Sequence, residues 1–348
     1  MKIALVAPIW GVVNKKYAQG ITDVVYSLAD GLTKRGHDVV LFAPKGSKTP
    51  AKLFRPAPPS LYDDFHMHFG EKQAIFYRFL YAGQVAKNIS GFDVVHSHLE
   101  TDFLPFTPFV APPVVTTIHG VASSYPARKK IFLDYKDANF VSLSNAARKN
   151  IPQLHYVGTV YNGIDPKKYP YNFDKPENYY LWLGRFNKDK APHLAIEVAK
   201  KTKTPLYMAG SGTDTPYFKK MIRPHLKSKY VKVLPWMSME EKVEYYKNAK
   251  AFLMPIQWEE PFGLVITESM ACGTPVIAFN RGSMGELIKN GKTGFVVKSV
   301  PEMIRATKKI PSIERRACRK RVEDLFTTEK MVDNYEKIYK KLAKKRWR

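Results

Sequence analysis

The feature that most constrains the fold is a repeated alternation of short apolar runs with helical patterns. In the first half, the run "KIALVA" at 2–7 precedes apolar residues that recur at helical spacing between 24 and 32, until Gly36 provides a stop. Further runs of this kind are "DVVLFA", "FDVVHSH", "PVVTTIH" and "NFVSLS". Strands separated by helices form parallel, doubly wound sheets. The first half therefore predicts one Rossmann-like unit.

The same alternation begins again in the second half. The segment "YNGIDPKKYP" at 161–170 contains an Asn-Gly pair and prolines that are typical of a connection. After it come the runs "YYLWLG", "PLYMAG", "VKVLP", "AFLMPI", "PVIAF" and "GFVV". A chain of 348 residues suits two domains. We predict one domain over 1–158, a second over 159–326, and an amphipathic helix over 327–348 that must dock on one of them.

The loops after the first strand of each unit are the expected ligand positions. Two α/β units of this kind are expected to face a central cleft, lined by the carboxyl ends of their strands. These loops are "APIWGVVNKKYAQG" at 7–20 and "GRFNKDKAP" at 184–192. Neither contains the G-x-G-x-x-G pattern of dinucleotide sites, so we predict no redox cofactor.

The stretch "WEEPFGLVITESMACGTPV" at 258–276 predicts an anion site. Proline is favoured in the first turn of a helix, so we predict a helix that begins at Pro261. The N–H groups of Phe262, Gly263 and Leu264 would then lack helical partners, and with the helix dipole they would attract an anion.

Two carboxylates flank this predicted anion site. Glu260 lies just before the helix, and Glu268 lies about two turns, roughly 10 Å, along it. Carboxylates repel phosphate but accept hydrogen bonds from sugar hydroxyls. The arrangement therefore favours a diphosphate with a hydroxylated ring on each side, which is the shape of a nucleotide sugar.

At this point the chain resembles a known family, the retaining group 1 glycosyltransferases of GT-B fold. The hallmark of that family is E-P-F-G-x-x-x-x-E followed by A-x-G-x-P-V, and this chain has "EPFGLVITE" at 260–268 and then "ACGTPV". Further matches occur in the expected order: "HG" at 119–120, "NGID" at 162–165 and "GRFNKDKAP" at 184–192.

The resemblance implies a role for several residues. Glu260 would contact the donor sugar, Glu268 the nucleotide ribose, and His119 would lie near the sugar. Arg185 and Lys190 would bind the donor diphosphate, in keeping with the need to neutralise leaving-group charge. The first domain would face the acceptor, the second would bind the nucleotide sugar, and the terminal helix would return to the first domain.

One loop departs from the family pattern. Many relatives have Gly-Gly-x-Glu in the first domain's phosphate loop, whereas this chain has Gln19, Gly20, Ile21 and Thr22. Of this loop, only Gly20 is assigned to donor binding.

The predicted reaction is transfer of a hexosyl group from a nucleoside diphosphate sugar, with a UDP-sugar favoured, to an acceptor hydroxyl without a metal. The resemblance implies that the anomeric configuration is retained. Two alternatives stay open. A nucleotide-sugar 2-epimerase of the same architecture would need no acceptor. A nucleic-acid-binding protein would suit the basic charge, but the sequence shows no helix-turn-helix, RNP-like or zinc motif.

Charge suggests an anionic partner, because 56 lysines and arginines stand against 31 acids and give a net charge of +25. The local peaks are "RRACRKR" at 315–321 and "KKLAKKRWR" at 340–348, where Trp347 could anchor at an interface. We therefore expect a cytoplasmic enzyme attached peripherally to an anionic membrane surface, acting on a lipid-linked or envelope-polysaccharide acceptor. A basic enzyme that acts on a small acceptor is the alternative.

Metal and disulfide sites are not predicted. Cys272 and Cys318 lie outside any ligand spacing, and the pairs "HMH" at 66–68 and "HSH" at 96–98 lack an evident third ligand. Prolines interrupt the long uncharged stretch at 103–127, so we expect no membrane span. Trp236 and Trp258 are candidates for substrate selectivity.

Overall fold

The structure is a computed structural model that describes residues 1–15, 20–55, 60, 71–174, 176–235 and 237–345. The chain divides into two compact units, one made of Met1–Gly163 with Thr328–Arg348 and the other of Ile164–Thr327. The predicted boundary after residue 158 falls inside a strand of the first unit, Tyr156–Thr159, whereas the division between Gly163 and Ile164 lies within the turn-rich segment at 161–170.

In the described part of the first unit, seven parallel strands form one sheet in the order β3-β2-β1-β4-β5-β6-β7. The strands are β1 Lys2–Val6, β2 Asp38–Phe42, β3 Lys52–Leu53, β4 Val94–Ser97, β5 Val114–Ile118, β6 Asn139–Ser142 and β7 Tyr156–Thr159. The helices of this unit's first segment are α1 Ile21–Lys34, α2 Glu71–Lys87, α3 Pro126–Asp134 and α4 Asn145–Arg148.

The central strands form where the apolar runs are continuous. β1 pairs with both β2 and β4, so Ile3 lies between Val39 and Val94. A strand covered on both faces has no solvent side and therefore shows no polar alternation. The edge strands β3 and β7 escaped prediction: β3 has two residues, and all four residues of β7 are only half-buried.

The second unit repeats the architecture with six described strands in the order β10-β9-β8-β11-β12-β13. The strands are β8 Tyr180–Leu183, β9 Leu206–Ala209, β10 Val231–Val233, β11 Ala251–Met254, β12 Val276–Phe279 and β13 Gly294–Val297. The helices are α5 Pro192–Thr202, α6 Pro216–Met221, α7 Met239–Asn248, α8 Leu264–Ala271, α9 Met284–Leu287, α10 Val300–Lys309 and α11 Arg315–Leu325. Two Rossmann-like units with parallel sheets are thus confirmed.

The terminal helix, α12 Thr328–Lys345, packs against α1 of the first unit, as predicted. Its apolar stripe is buried, including Met331, Tyr335 and Leu342. Polar contacts join the two helices at one end, where Glu336 accepts from Arg35 at 2.9 Å and contacts the His37 ring at 3.2 Å. Within the described residues, no helix is both long and apolar enough to cross a membrane.

Candidate functional site

Two neighbouring loops of the second unit bring the predicted donor residues together. β8 and β11 are adjacent parallel strands, so the loops at their carboxyl ends meet. The contact is direct, because the Gln257 N–H donates to the Asp189 carbonyl at 2.7 Å. Asn187 fixes the first loop through its Oδ1, which accepts from the Lys190 N–H at 2.9 Å.

Lys190 and Glu260 form an ion pair at this junction, although 70 positions separate them in the chain. The side chains are only 15% and 11% exposed. The Trp258 indole N–H also donates to Oε2 of Glu260 at 2.9 Å, and the Lys190 ammonium lies 5.3 Å from the Trp258 ring centre. A buried carboxylate is thus held by one cation and one neutral donor, which offsets its desolvation.

Arg185 lies on the same loop but is exposed. Its guanidinium contacts no acceptor within the described ranges. A rigid fork of donors without an internal partner is able to bind a phosphate or carboxylate group.

The predicted start of the helix at Pro261 is wrong. The helix begins at Leu264, with Gly263 as its N-cap at φ +91°. That left-handed backbone is not helical, and it suits glycine because a Cβ would be strained there. Phe262 and Gly263 therefore precede the helix, and the N–H groups at its start are those of Leu264 and Val265, which have no acceptor in the described parts of the chain.

Glu268 lies in the second turn of α8, roughly 6 Å along the axis from Leu264. Its Oε2 accepts a hydrogen bond from the Tyr246 hydroxyl at 2.9 Å. Burial raises the pKa of Tyr246 well above its usual value, and Glu268 adds to the effect, so the phenol stays protonated and remains a donor. One oxygen of Glu268 is therefore held in place by the protein.

A turn that the sequence did not single out supports the loop before α8. The Ser283 N–H donates to the Glu260 carbonyl at 2.9 Å, and the Ser283 hydroxyl donates to the Phe262 carbonyl at 2.5 Å. Gly282 has φ +54°, and a Cβ there would lie 2.2 Å from the Glu260 carbonyl oxygen. Glycine is therefore required for this close approach.

A second missed glycine supports the loop after β8. Gly210, in the triplet "GSG" at 210–212, has φ +152°. A Cβ at this position would lie 1.7 Å from the Gly184 carbonyl oxygen. The next residue, Ser211, accepts from the Phe186 N–H at 2.8 Å, which fixes the backbone beside Arg185.

In the first unit, His119 directly follows β5, and a carboxylate holds its backbone. Oε1 of Glu100 accepts from the N–H of His119 at 2.6 Å and from the N–H of Gly120 at 2.8 Å. Arg128 forms an ion pair with the other oxygen of Glu100. Burial lowers the pKa of His119 to about 4, and Glu100 opposes that shift. The imidazole is therefore neutral at pH 7.

The "HSH" pair ends β4 beside this loop. Both rings are buried, and His96 is bonded on both sides, to Tyr339 of α12 at 2.6 Å and to Thr117 at 2.7 Å. The Thr117 hydroxyl also contacts the Tyr335 hydroxyl at 2.9 Å. His96 thus joins the sheet to the terminal helix. Across the described ranges, no group of three metal-ligating side chains is brought together.

Gly20 lies at the N-cap of α1 with φ +56°, a conformation that favours glycine. The preceding loop residues, including Gln19, lie outside the described residues, as do the "HMH" pair, Trp236 and Trp347.

The basic segment "RRACRKR", predicted as a membrane contact, directs three of its five basic residues into the second unit's own structure, while Arg316 and Lys320 are exposed. It begins α11, and Arg315 donates to the carbonyls of Asn172, Ala249 and Lys247. Two more arginines bind carbonyls: Arg319 those of Tyr169 and Ala271, and Arg321 those of Leu287 and Glu286. These arginines are not available to lipid because helix ends and loops already occupy their donors.

A cavity of about 570 Å³ in the first unit lies away from these residues. It is lined by Pro113, Val114 and Asn139, at the amino ends of β5 and β6. Ligands of open parallel sheets bind at the carboxyl ends of the strands, so this cavity is not the donor site.

Two family models match the chain. The model described as "Glycosyl transferases group 1" matches residues 164–324, and the one described as "Glycosyltransferase Family 4" matches residues 18–168. Together they span most of both units.

Two synthases are among the curated relatives of the chain. Glycogen synthase of Mycobacterium tuberculosis is 28% identical over 233 residues, which are 58% of this chain and 55% of that enzyme. N-acetyl-alpha-D-glucosaminyl L-malate synthase of Bacillus anthracis is 24% identical over 65% of this chain and 67% of its own. The chain thus spans about half the length of the first of these relatives.

Solved structures share the two-domain fold. Sucrose-phosphate synthase from Thermosynechococcus elongatus has a TM-score of 0.81 at 17% identity, over 98% of both chains. Anabaena HepE in complex with UDP-glucose has a TM-score of 0.73 at 16% identity, over 99% of this chain and 100% of that one. At these identities the likeness establishes the fold, and the GT-B prediction is confirmed. With both family models matched in sequence order, the chain belongs to the group 1 glycosyl transferases.

Proposed function

We propose that the protein transfers a sugar from a nucleoside diphosphate sugar to an acceptor hydroxyl. The observation that supports this most strongly is the Lys190–Glu260 pair beside the start of α8. It combines a cation, a carboxylate and unpaired N–H groups, which suit a diphosphate and a sugar bound side by side. A UDP-sugar is the favoured donor, because HepE was solved with UDP and with UDP-glucose.

Donor binding would exchange partners at this pair. The diphosphate takes the Lys190 ammonium and the Arg185 guanidinium, and Glu260 is then free to accept from sugar hydroxyls while it keeps the Trp258 donor. The N–H groups of Leu264 and Val265 face the phosphates. Glu268 binds the ribose with the oxygen that Tyr246 leaves open.

Sugar transfer requires that the negative charge on the departing nucleoside diphosphate be neutralised. The bond between the anomeric carbon and the diphosphate oxygen breaks as the acceptor oxygen bonds to the same carbon, and the leaving phosphate takes the acceptor proton on the same face. Configuration is thereby retained. Lys190 and Arg185 stabilise the charge that develops on the diphosphate, so this scheme needs no metal. In the first unit, His119 has a neutral ring that is able to form a hydrogen bond with a sugar hydroxyl.

The test is a transfer assay over a panel of nucleotide sugars, preceded by ligand-induced thermal shift, because binding to the native state raises the melting temperature. Lys190→Ala should lower turnover by roughly 10² or more. Lys188→Ala is the matched control, since Lys188 is an exposed lysine of the same loop. Equal turnover of the two variants would show that Lys190 does not contribute to catalysis.

Donor alone separates transfer from epimerisation. A transferase incubated without acceptor leaves the nucleotide sugar unchanged or hydrolyses it slowly. Accumulation of an epimerised nucleotide sugar would instead support the 2-epimerase alternative. Inhibition by a chelator that magnesium reverses would contradict the metal-independent scheme.

We also propose that the acceptor is a lipid-linked sugar or envelope glycan reached from an anionic membrane surface. Three arginines of "RRACRKR" are engaged internally, so we place the contact on α12, where Lys337, Lys341 and Lys344 are exposed. Each such lysine contributes about 1 kcal/mol near an anionic surface.

Co-sedimentation with vesicles of anionic lipid at low and high salt tests this attachment, because screening weakens it. Replacing the three α12 lysines with alanine should abolish binding, whereas replacing Lys219, Lys220 and Lys227 of the second unit should not. Absence of binding at low salt would refute membrane attachment and leave the sugar transfer untouched.

A further inference from the structure

A buried imidazole, His98, lies directly behind His119. His98 is 2% exposed, and its Nδ1 lies 2.7 Å from Nε2 of His119. Its other ring nitrogen, Nε2, is buried and has no hydrogen-bond partner in the described parts of the chain. One ring must donate to the other across the 2.7 Å contact, so the two tautomers are coupled.

Both rings are neutral at pH 7. Burial lowers the pKa of His98 well below its usual value and the pKa of His119 to about 4. Each ring therefore has one N–H, and two arrangements are possible. Either His98 donates from Nδ1 to Nε2 of His119, or His119 donates from Nε2 to Nδ1 of His98.

The unpartnered Nε2 of His98 decides which direction of the His98–His119 hydrogen bond is more stable. If His119 donated, the proton of His98 would sit on its buried Nε2, and an unpaired buried donor costs about 1–3 kcal/mol. If His98 donates, its Nε2 has only an unpaired lone pair, and folded proteins tolerate an unsatisfied buried acceptor more readily than an orphaned N–H. The arrangement in which His98 donates to His119 is thus the more stable one.

The surroundings keep both rings in place. His96 packs on His98 with ring centres 4.1 Å apart, and its own nitrogens are bonded to Tyr339 and Thr117, so it does not compete for the contact. Glu100 holds the backbone of His119. Nδ1 of His119 contacts no partner among the described residues.

We propose that His98 is a positioning residue that fixes His119 in the Nδ1–H tautomer. The ring then offers a ligand one neutral N–H donor at Nδ1 and no lone pair. Such a group can donate to a hydroxyl oxygen of the sugar, but it cannot accept the acceptor's proton. The ring therefore does not serve as a base for that proton. Only the identity of the ligand rests on the proposed function.

The test is ¹⁵N NMR of histidine-labelled full-length protein without ligand, with His119 assigned by its loss in His119→Gln. In the wild-type spectrum, Nδ1 of His119 should be protonated and Nε2 should be unprotonated. His98→Leu removes the donor, so His119 should lose this preference. His98→Asn should restore it, because the asparagine amide N–H lies near the place of Nδ1–H.

His225→Asn is the matched control, since the His225 ring faces Lys200 of the second unit through its Nδ1 at 2.8 Å. It should leave the His119 signals unchanged. In the transfer assay, His98→Leu should lower kcat about tenfold or more with little change in the donor KM, and His98→Asn should recover most of it.

Two results would overturn the proposal: His119 protonated at Nε2 in wild type, or an unaltered Nδ1–H tautomer in folded His98→Leu. If His98→Leu does not fold, the wild-type spectrum still decides. Because the tautomer is measured without a nucleotide sugar, the result tests this proposal independently of the proposed sugar transfer.

Discussion

At the scale of single residues, the candidate donor site depends on the ion pair between Lys190 and Glu260. A carboxylate as buried as Glu260 is costly without a nearby cation, and the Trp258 indole alone supplies one neutral hydrogen bond. The pair therefore has a structural role before any ligand binds, and this role can be measured by itself.

Lys190→Ala should lower the free energy of unfolding by about 3 kcal/mol, because it leaves a buried carboxylate unpaired. The double variant Lys190→Ala with Glu260→Gln should recover part of that loss, since the remaining group is neutral. Chemical denaturation of both, with Lys188→Ala as the control expected within about 0.5 kcal/mol of wild type, checks this. If the double variant lost as much stability as Lys190→Ala and Glu260→Gln lose separately when added together, the two residues would not be coupled.

At the scale of elements, close packing fixes α12 on α1. A Cβ added to Gly31 of α1 would lie 2.6 Å from Cγ2 of Val332 on α12. Overpacking costs about 1–3 kcal/mol, and alanine returns up to about 1 kcal/mol of helix propensity. Gly31→Ala should therefore destabilise the protein by about 1 kcal/mol in denaturant melts.

The compensating variant makes this prediction sharper. In a Val332→Ala background the obstructing methyl is gone, so the same Gly31→Ala change should become stabilising. A stabilising effect of Gly31→Ala in both backgrounds would contradict the close approach of the two helices.

The same helix pair should give stability an acid dependence through Glu336. Hydrogen bonds from Lys340, then from Arg35 and His37, lower the pKa of Glu336 to about 2, well below the usual value for a glutamate. A lowered folded-state pKa adds stability that is complete above about pH 4.5 and is lost as the pH falls toward 2.

Glu336→Gln should accordingly cost about 1 kcal/mol at pH 7, a value suited to a partly exposed network. The difference from wild type should narrow steadily below pH 4.5, because protonated Glu336 resembles glutamine. Urea titrations between pH 7 and pH 3 measure it. If the difference in unfolding free energy between Glu336→Gln and wild type stayed constant over this range, the lowered pKa of Glu336 would not contribute to stability.

At the scale of the whole molecule, the sequence was enough to predict the fold wherever a local pattern is compatible with only one structure. Continuous apolar runs located the central strands of both sheets, and the stripe of α12 predicted its docking. The start of α8 was missed because proline at position 261 satisfies the rule for a first helical turn, while the φ of Gly263 depends on the turn at Gly282 and Ser283. Propensity does not include such tertiary contacts.

The candidate site divides in the same way. The resemblance named Glu260, Glu268, Arg185, Lys190 and His119, but not what holds them. The Lys190–Glu260 pair, the Tyr246–Glu268 hydrogen bond and the Glu100 contacts join residues 19 to 70 positions apart. Local patterns cannot report such distances, because they depend on which strands lie side by side.

The most direct test of the donor site is calorimetric titration of UDP into wild type, Glu268→Gln, Tyr246→Phe and Glu260→Gln. Wild type should bind. Glu268→Gln keeps an acceptor for Tyr246 but weakens the ribose contacts, so its affinity should fall by about 1.5–3 kcal/mol. Tyr246→Phe keeps the carboxylate, so it should bind UDP nearly as well as wild type. Glu260→Gln removes the ion-pair partner of Lys190 and leaves the ammonium to the diphosphate, so it should bind UDP at least as well as wild type. Wild-type affinity in Glu268→Gln, or no UDP binding by wild type, would contradict the account.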